Sequence, residues 1–165
     1  MKKGWILLIL MGFAACDLIP RVKEVYPGFI YREELLHGIG EQEPHTGEVR
    51  DWFEDGSLKL EAHYEEGVRQ EITFYFRNGN RQAHHLRTEN GWAVTSWYEN
   101  GQIQEEFFPF HVRQWFENGQ MKAEVGMDED QEYHGAMRVW DQEGNLIAHE
   151  VYEHGELTET LVPQE

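Results

Sequence analysis

From residue 47 to residue 157 the chain alternates apolar and polar positions in short runs, broken at regular intervals by glycine. A period of two between glycine turns predicts β-strands joined in hairpins. Five stretches share one phrase: WFEDGSLK from Trp52, YFRNGNRQ from Tyr75, WYENGQIQ from Trp97, WFENGQMK from Trp115 and WDQEGNLI from Trp140. Aligned on Gly56, Gly79, Gly101, Gly119 and Gly144, the copies are spaced 23, 22, 18 and 25 residues apart. Seven positions before the glycine stand Val49, Ile72, Val94, Val112 and Met137, and three before it Phe53, Phe76, Tyr98, Phe116 and, in the last copy, Asp141. Two positions after it come Leu58, Arg81, Ile103, Met121 and Leu146. β-Branched and aromatic residues before the turn and mainly aliphatic ones behind it are strand composition on both sides.

The dipeptides Asp55-Gly56, Asn78-Gly79, Asn100-Gly101 and Asn118-Gly119, with a weaker Glu143-Gly144, predict tight turns with positive φ at both central positions. A second glycine, at Gly67, Gly91, Gly135 or Gly155, returns the chain to the next copy. The expected fold is all-β: an elongated, single-layer antiparallel meander of tandem hairpins. Five hairpins make about ten strands and a ribbon on the order of 45–50 Å across. Adjacent residues on a strand point to opposite faces. The row Trp52, Tyr75, Trp97, Trp115 and Trp140 therefore lies on one face. The row Phe76, Tyr98 and Phe116 shares the other with Ile72, Val94 and Val112, and is expected to be the more buried.

The phrase [WY]-[FY]-E-N-G-x-[LIM]-[KQ] resembles the MORN-repeat variant of bacterial proteins often labelled YwqK-type antitoxins. The resemblance covers residues 47–157 and implies a MORN-like repeat sheet with a role in toxin neutralisation. Arg81, the run Phe107-Phe108-Pro109-Phe110 and Asp141 depart from the pattern. Residues 16–46 match less well and are read either as a degenerate first repeat or as a tether followed by a cap; residues 158–165 are read as a C-terminal tail.

Residues 1–15 form a separate object: a positive start at Lys2 and Lys3, then an apolar run from Trp5 to Ala15 too short to span a bilayer comfortably. That is the pattern of a signal peptide. Phe13-Ala14-Ala15-Cys16 resembles a lipobox, which implies cleavage before Cys16, the sole cysteine, and lipidation of its thiol. The alternative is an ordinary signal peptide with an incidental cysteine. In the lipoprotein reading the protein faces the periplasm or cell surface, anchored to a membrane of the envelope. Its fold then has no thiol left for a disulfide, a metal or catalysis.

Charge narrows the partners. The full chain carries 14 basic and 31 acidic residues, a net charge of −17. This disfavours nucleic acid and anionic membrane surfaces as electrostatic partners and permits a basic protein.

Chemistry is sparse. The two serines, Ser57 and Ser96, lie outside any GxSxG context, and Gly38-Ile39-Gly40 lacks a βαβ setting. Neither a Walker motif nor HExxH occurs, so the expectation is a protein that is not an enzyme, with no cofactor and no small-molecule substrate. Nine histidines raise the question of a metal. The pairs His84-His85 and His149 with His154 stand out, but His84 and His85, adjacent on a strand, face opposite ways. The column Glu61, His84, Glu106, Glu124 and His149 looks like a ladder of ligands, but its rungs stand two strands apart, about 9–10 Å, against the ~2 Å bonds of zinc. A solvated polar face is expected there, with no metal. The acidic stretch 127–132 lacks the spacing of a calcium loop and reads as an exposed loop.

Two functions fit. In the first, an exported lipoprotein binds another protein through its aromatic sheet face, as an antitoxin or immunity protein against a basic toxin. In the second, it is an envelope scaffold whose Trp row touches cell-wall glycan.

Overall fold

The computed structural model describes residues 26–162. The expected signal peptide and Cys16 lie outside the described residues, as does the end of the tail. Thirteen strands follow in chain order: β1 (Phe29–Arg32), β2 (Leu35–Gly38), β3 (Gly47–Trp52), β4 (Leu58–Glu65), β5 (Val68–Tyr75), β6 (Arg81–Thr88), β7 (Gly91–Trp97), β8 (Ile103–Phe108), β9 (His111–Trp115), β10 (Met121–Met127), β11 (Tyr133–Trp140), β12 (Leu146–Glu153) and β13 (Glu156–Val162). β3 to β13 form one open antiparallel sheet in unbroken sequence order, eleven strands where about ten were expected. At the usual strand spacing this meander is about 48 Å across. β13 carries the sheet to Val162, past the boundary expected at residue 157.

The turns within the copies differ from the expectation. In the first, the Gly56 N–H donates to the Phe53 carbonyl and the Phe53 N–H to the Ser57 carbonyl, both at 2.9 Å. The other four copies repeat this pair of bonds. The loop is thus three residues long, and in each copy only the glycine has positive φ, between +83° and +88°. This is a type I turn closed by a glycine in the left-handed region. The two-residue turn with positive φ at both positions occurs instead after the first and the fifth copy, at Glu66-Gly67 (48° and 76°) and His154-Gly155 (47° and 76°). Asn or Asp before the turn glycine has another job: Asn78, Asn100 and Asn118 each accept the main-chain N–H two residues on through Oδ1. In the fifth copy Asp141 takes over that acceptor role, receiving the N–H groups of Glu143 and Asn145. Hydrogen bonds from the Asn145 side chain and main chain hold its carboxyl below the ordinary carboxylate range. The residue that broke the repeat phrase therefore preserves the turn.

Each copy also carries a bulge at one place. Trp52 pairs with Leu58 but Asp51 with Leu60, leaving Lys59 extra, and the other four hairpins shift register at the same step. A bulge strengthens the local twist of the strand pair.

One face of the sheet is the core. A cross-strand row runs through Val49, Ala62, Ile72, His85, Val94, Phe107, Val112, Val125, Met137 and Glu150, each paired with the next. All ten side chains are buried. The apolar members fall into two clusters: one around Val49, Leu60, Tyr64 and Ile72, the other around Val94, Phe107, Val112, Val125 and Met137. His85 sits between them. Its ring packs edge-on against Phe74 at 5.7 Å, and its Nδ1 has no hydrogen-bond partner.

β1 and β2 form a hairpin outside the repeat sheet and cap the first cluster. Leu36 and Tyr26 join that cluster, and the Tyr64 hydroxyl donates to Tyr26 at 3.3 Å. Main-chain bonds from the Leu36 N–H to the Gly67 carbonyl (3.0 Å) and from the Gly67 N–H to the His45 carbonyl (2.7 Å) fix the cap to the β4–β5 turn.

Candidate binding face

Opposite the core, every member of the Trp row is the last strand residue before its turn. Across the bulge each pairs with the residue two past the turn glycine: Trp52 with Leu58, Tyr75 with Arg81, Trp97 with Ile103, Trp115 with Met121 and Trp140 with Leu146. Facing partners lie on one side of a sheet, so four aromatic–aliphatic pairs, interrupted by Arg81 opposite Tyr75, form a largely apolar strip along the turn-side margin. Trp52 is 55% exposed, while Tyr75, Trp97, Trp115 and Trp140 are half-buried.

The row Phe76, Tyr98 and Phe116 was expected to be the more buried, but it is half-buried too. These residues stand one position past the strand ends, immediately before the three-residue loop, at the margin of the sheet. The deep burial belongs to Ile72, Val94, Val112 and Met137, in mid-strand with a neighbour on each side.

Beside the apolar strip runs a second cross-strand row, Arg50, Glu61, Thr73, His84, Thr95, Glu106, Arg113, Glu124, Arg138 and His149. It contains the column of five suspected ligands, but arginine or threonine now separates its rungs. Arg138 holds Glu124 at 2.6 Å and Arg50 lies 3.6 Å from Glu61, which also accepts a short hydrogen bond from the Tyr75 hydroxyl. Desolvation and that carboxylate raise the Tyr75 pKa. Cross-strand pairs of opposite charge stabilise a sheet modestly. This row was hidden in the sequence because its two halves come from columns on opposite sides of the turn, six before and five after the glycine. Reading one column against the other recovers it.

His84 and His85 point to opposite faces, as adjacency on a strand implies. His84 lies on the polar row, 3.5 Å from Glu71, and His85 in the core. His149 takes its place beside Arg138, while His154 lies in the β12–β13 turn. On the core side of the C-terminal half, Phe107, Val112, Met127 and Tyr133 line an open recess of about 350 Å³ with Glu132 and Gly155. Among the described residues no helix is long and apolar enough to cross a membrane.

The family model described as MORN repeat variant matches residues 46–66 and 93–110. The first match spans the β3–β4 hairpin and the second most of β7–β8. Together with the all-β meander, these matches support a MORN-repeat protein. No curated protein matches the chain.

Proposed function

We propose that this repeat sheet is a non-enzymatic binding module that recognises a basic protein through its apolar strip and the charged row beside it. The observation that carries the reading is the run of half-exposed rings along consecutive hairpins, each backed by an aliphatic or long side chain. Trp and Tyr are favoured interface anchors, and an extended repeat surface contacts a partner over many strands without a pocket. A net charge of −17 supports a basic partner. Within this reading the protein is an exported lipoprotein anchored through Cys16, and its partner is a toxin that it neutralises. The N-terminal pattern up to Cys16 and the repeat resemblance support these finer points.

The test begins with wild type and a Trp97→Ala/Trp115→Ala variant, both confirmed folded, used to capture partners from envelope extract. Affinity for a captured basic protein is then measured by calorimetry at two salt concentrations. The variant should bind about 1–3 kcal/mol more weakly, and wild-type binding should weaken with salt. Undiminished binding by the variant overturns the choice of face. Co-sedimentation with purified cell-wall glycan, lost in the same variant, favours the scaffold function instead. Cys16→Ser should lose the lipid label and leave the membrane fraction.

A further inference from the structure

Three ligating side chains meet at the C-terminal end of the ribbon, from segments outside the repeat phrase. Asp128 opens the loop between β10 and β11, His134 lies near the start of β11, and His154 begins the β12–β13 turn. One ligand atom from each, a carboxylate oxygen and two ring nitrogens, lies within 4.8 Å of the others. His154 Nδ1 stands 2.8 Å from Asp128 Oδ2, and the His134 and His154 rings are 5.2 Å apart.

The fold holds the three segments together. The Gly155 N–H donates to the Tyr133 carbonyl at 2.9 Å, which ties the turn bearing His154 to the strand bearing His134. On the other side, a Cβ at Gly126 would stand 2.3 Å from the His134 carbonyl oxygen, so only glycine allows β10 this close. Asp128 Oδ1 accepts the Asp130 and Glu132 N–H groups at 3.0 Å each, which orients Oδ2 toward the histidine. Some carboxylates on this sheet face a guanidinium, as Glu124 does with Arg138 and Asp55 with Arg77, and Glu71 faces the single imidazole of His84 at 3.5 Å. Asp128 faces an imidazole, a group that can lose its proton and bind a metal.

We propose that Asp128, His134 and His154 form a binding site for a divalent transition-metal ion of the zinc type, with a fourth position open to water. Two imidazoles and one carboxylate are a common donor set for zinc, with bonds of about 2.0–2.2 Å, and ligand atoms of such a site lie ~3.3–3.6 Å apart. Closing from the present spacing takes rotation of His134 and His154, both exposed. Calcium is the poorer fit, because it takes six to eight oxygens. The ion would clamp one loop, one strand and one turn at the end of the sheet.

The test is calorimetric titration of the untagged full chain with zinc, together with the visible spectrum of the cobalt-loaded protein. Wild type should bind one ion at this site and give the intense ligand-field bands of four-coordinate cobalt. His134→Ala and His154→Asn should each weaken binding about tenfold or more and lose the bands. Asn is chosen at position 154 because it tolerates the positive φ found there. His149→Ala should change nothing. Circular dichroism of the metal-free variants confirms that both remain folded. Absence of stoichiometric binding, or equal binding by a His134→Ala/His154→Asn double variant, overturns the site.

Discussion

Asn78 donates its side-chain N–H to the main-chain carbonyl of Glu99 at 3.0 Å, joining one turn to the next. Asn100 reaches the Glu117 carbonyl and Asn118 the Gln142 carbonyl in the same way, each at 3.2 Å. The carbonyl oxygen of each amide meanwhile accepts an N–H of its own turn. Aspartate can perform only the second task. In the first copy Asp55 does so for Ser57, and its link to the next turn comes from the Arg77 guanidinium at 3.1 Å.

Asn100→Asp should therefore keep its own turn and lose the link to the next, at a cost of about 1 kcal/mol, while Asn100→Ala loses both and costs more. Urea unfolding of the two variants measures the difference. Equal midpoints for wild type and Asn100→Asp mean that the amide link contributes no stability.

Two glycines should fail for different reasons. Gly101 has φ +88° and nothing closer than 3.8 Å to an added Cβ, so Gly101→Val suffers backbone strain of about 1–3 kcal/mol. Gly126 has no positive φ, yet its Cβ would strike a main-chain oxygen. Gly126→Ala should accordingly be the more damaging change despite the smaller side chain. Comparing melting temperatures decides it: a milder Gly126→Ala means that β10 and β11 separate there at little cost.

His85 should make stability depend on pH. Burial, reinforced by the charges of Arg69 and His84, lowers its pKa from 6.5 to about 4. Between those values the unfolded chain takes up a proton that the native state refuses, so stability falls as the pH drops. At pH 4 the loss attributable to this group is about 3 kcal/mol relative to neutral pH. Buried Glu105, its pKa raised by desolvation, works in the opposite sense, losing stability as the pH climbs through its titration. Subtracting the stability curve of His85→Leu from that of wild type isolates the histidine. A flat difference from pH 4 to 7 contradicts a neutral His85.

Depth of burial should rank core truncations. Met137 is fully buried, and Met137→Ala is expected to cost about 2–5 kcal/mol. Phe116→Ala and Trp115→Ala remove larger but half-buried rings and should each cost less than a fully buried aromatic would. Thermal melts of the three place them in order, and a Trp115→Ala variant less stable than Met137→Ala would move the Trp row into the core.

The strands and the meander were legible because Val49, Ile72, Val94, Val112 and Met137 keep one column through every copy. Turn geometry was less so. Asn-Gly suits two kinds of turn, and only the main-chain pairing, Phe76 N–H to Asn80 carbonyl at 2.8 Å, selects the longer. The bulge left no trace in composition, since Lys59 is an ordinary strand-edge residue. The meeting of Asp128, His134 and His154 was not legible because spacing was weighed within repeats, whereas it depends on a loop and a turn between them.

Strict chain order in the eleven-stranded sheet bears on how the molecule reaches it. All-β proteins generally fold slowly, since their pairings enclose long stretches of chain before any reward arrives. Here each new strand needs only a short turn closed against the strand before it, and the entropy of closing so small a loop is low. The ribbon is therefore expected to zip up from a first hairpin at rates more typical of helical bundles than of β-sandwiches.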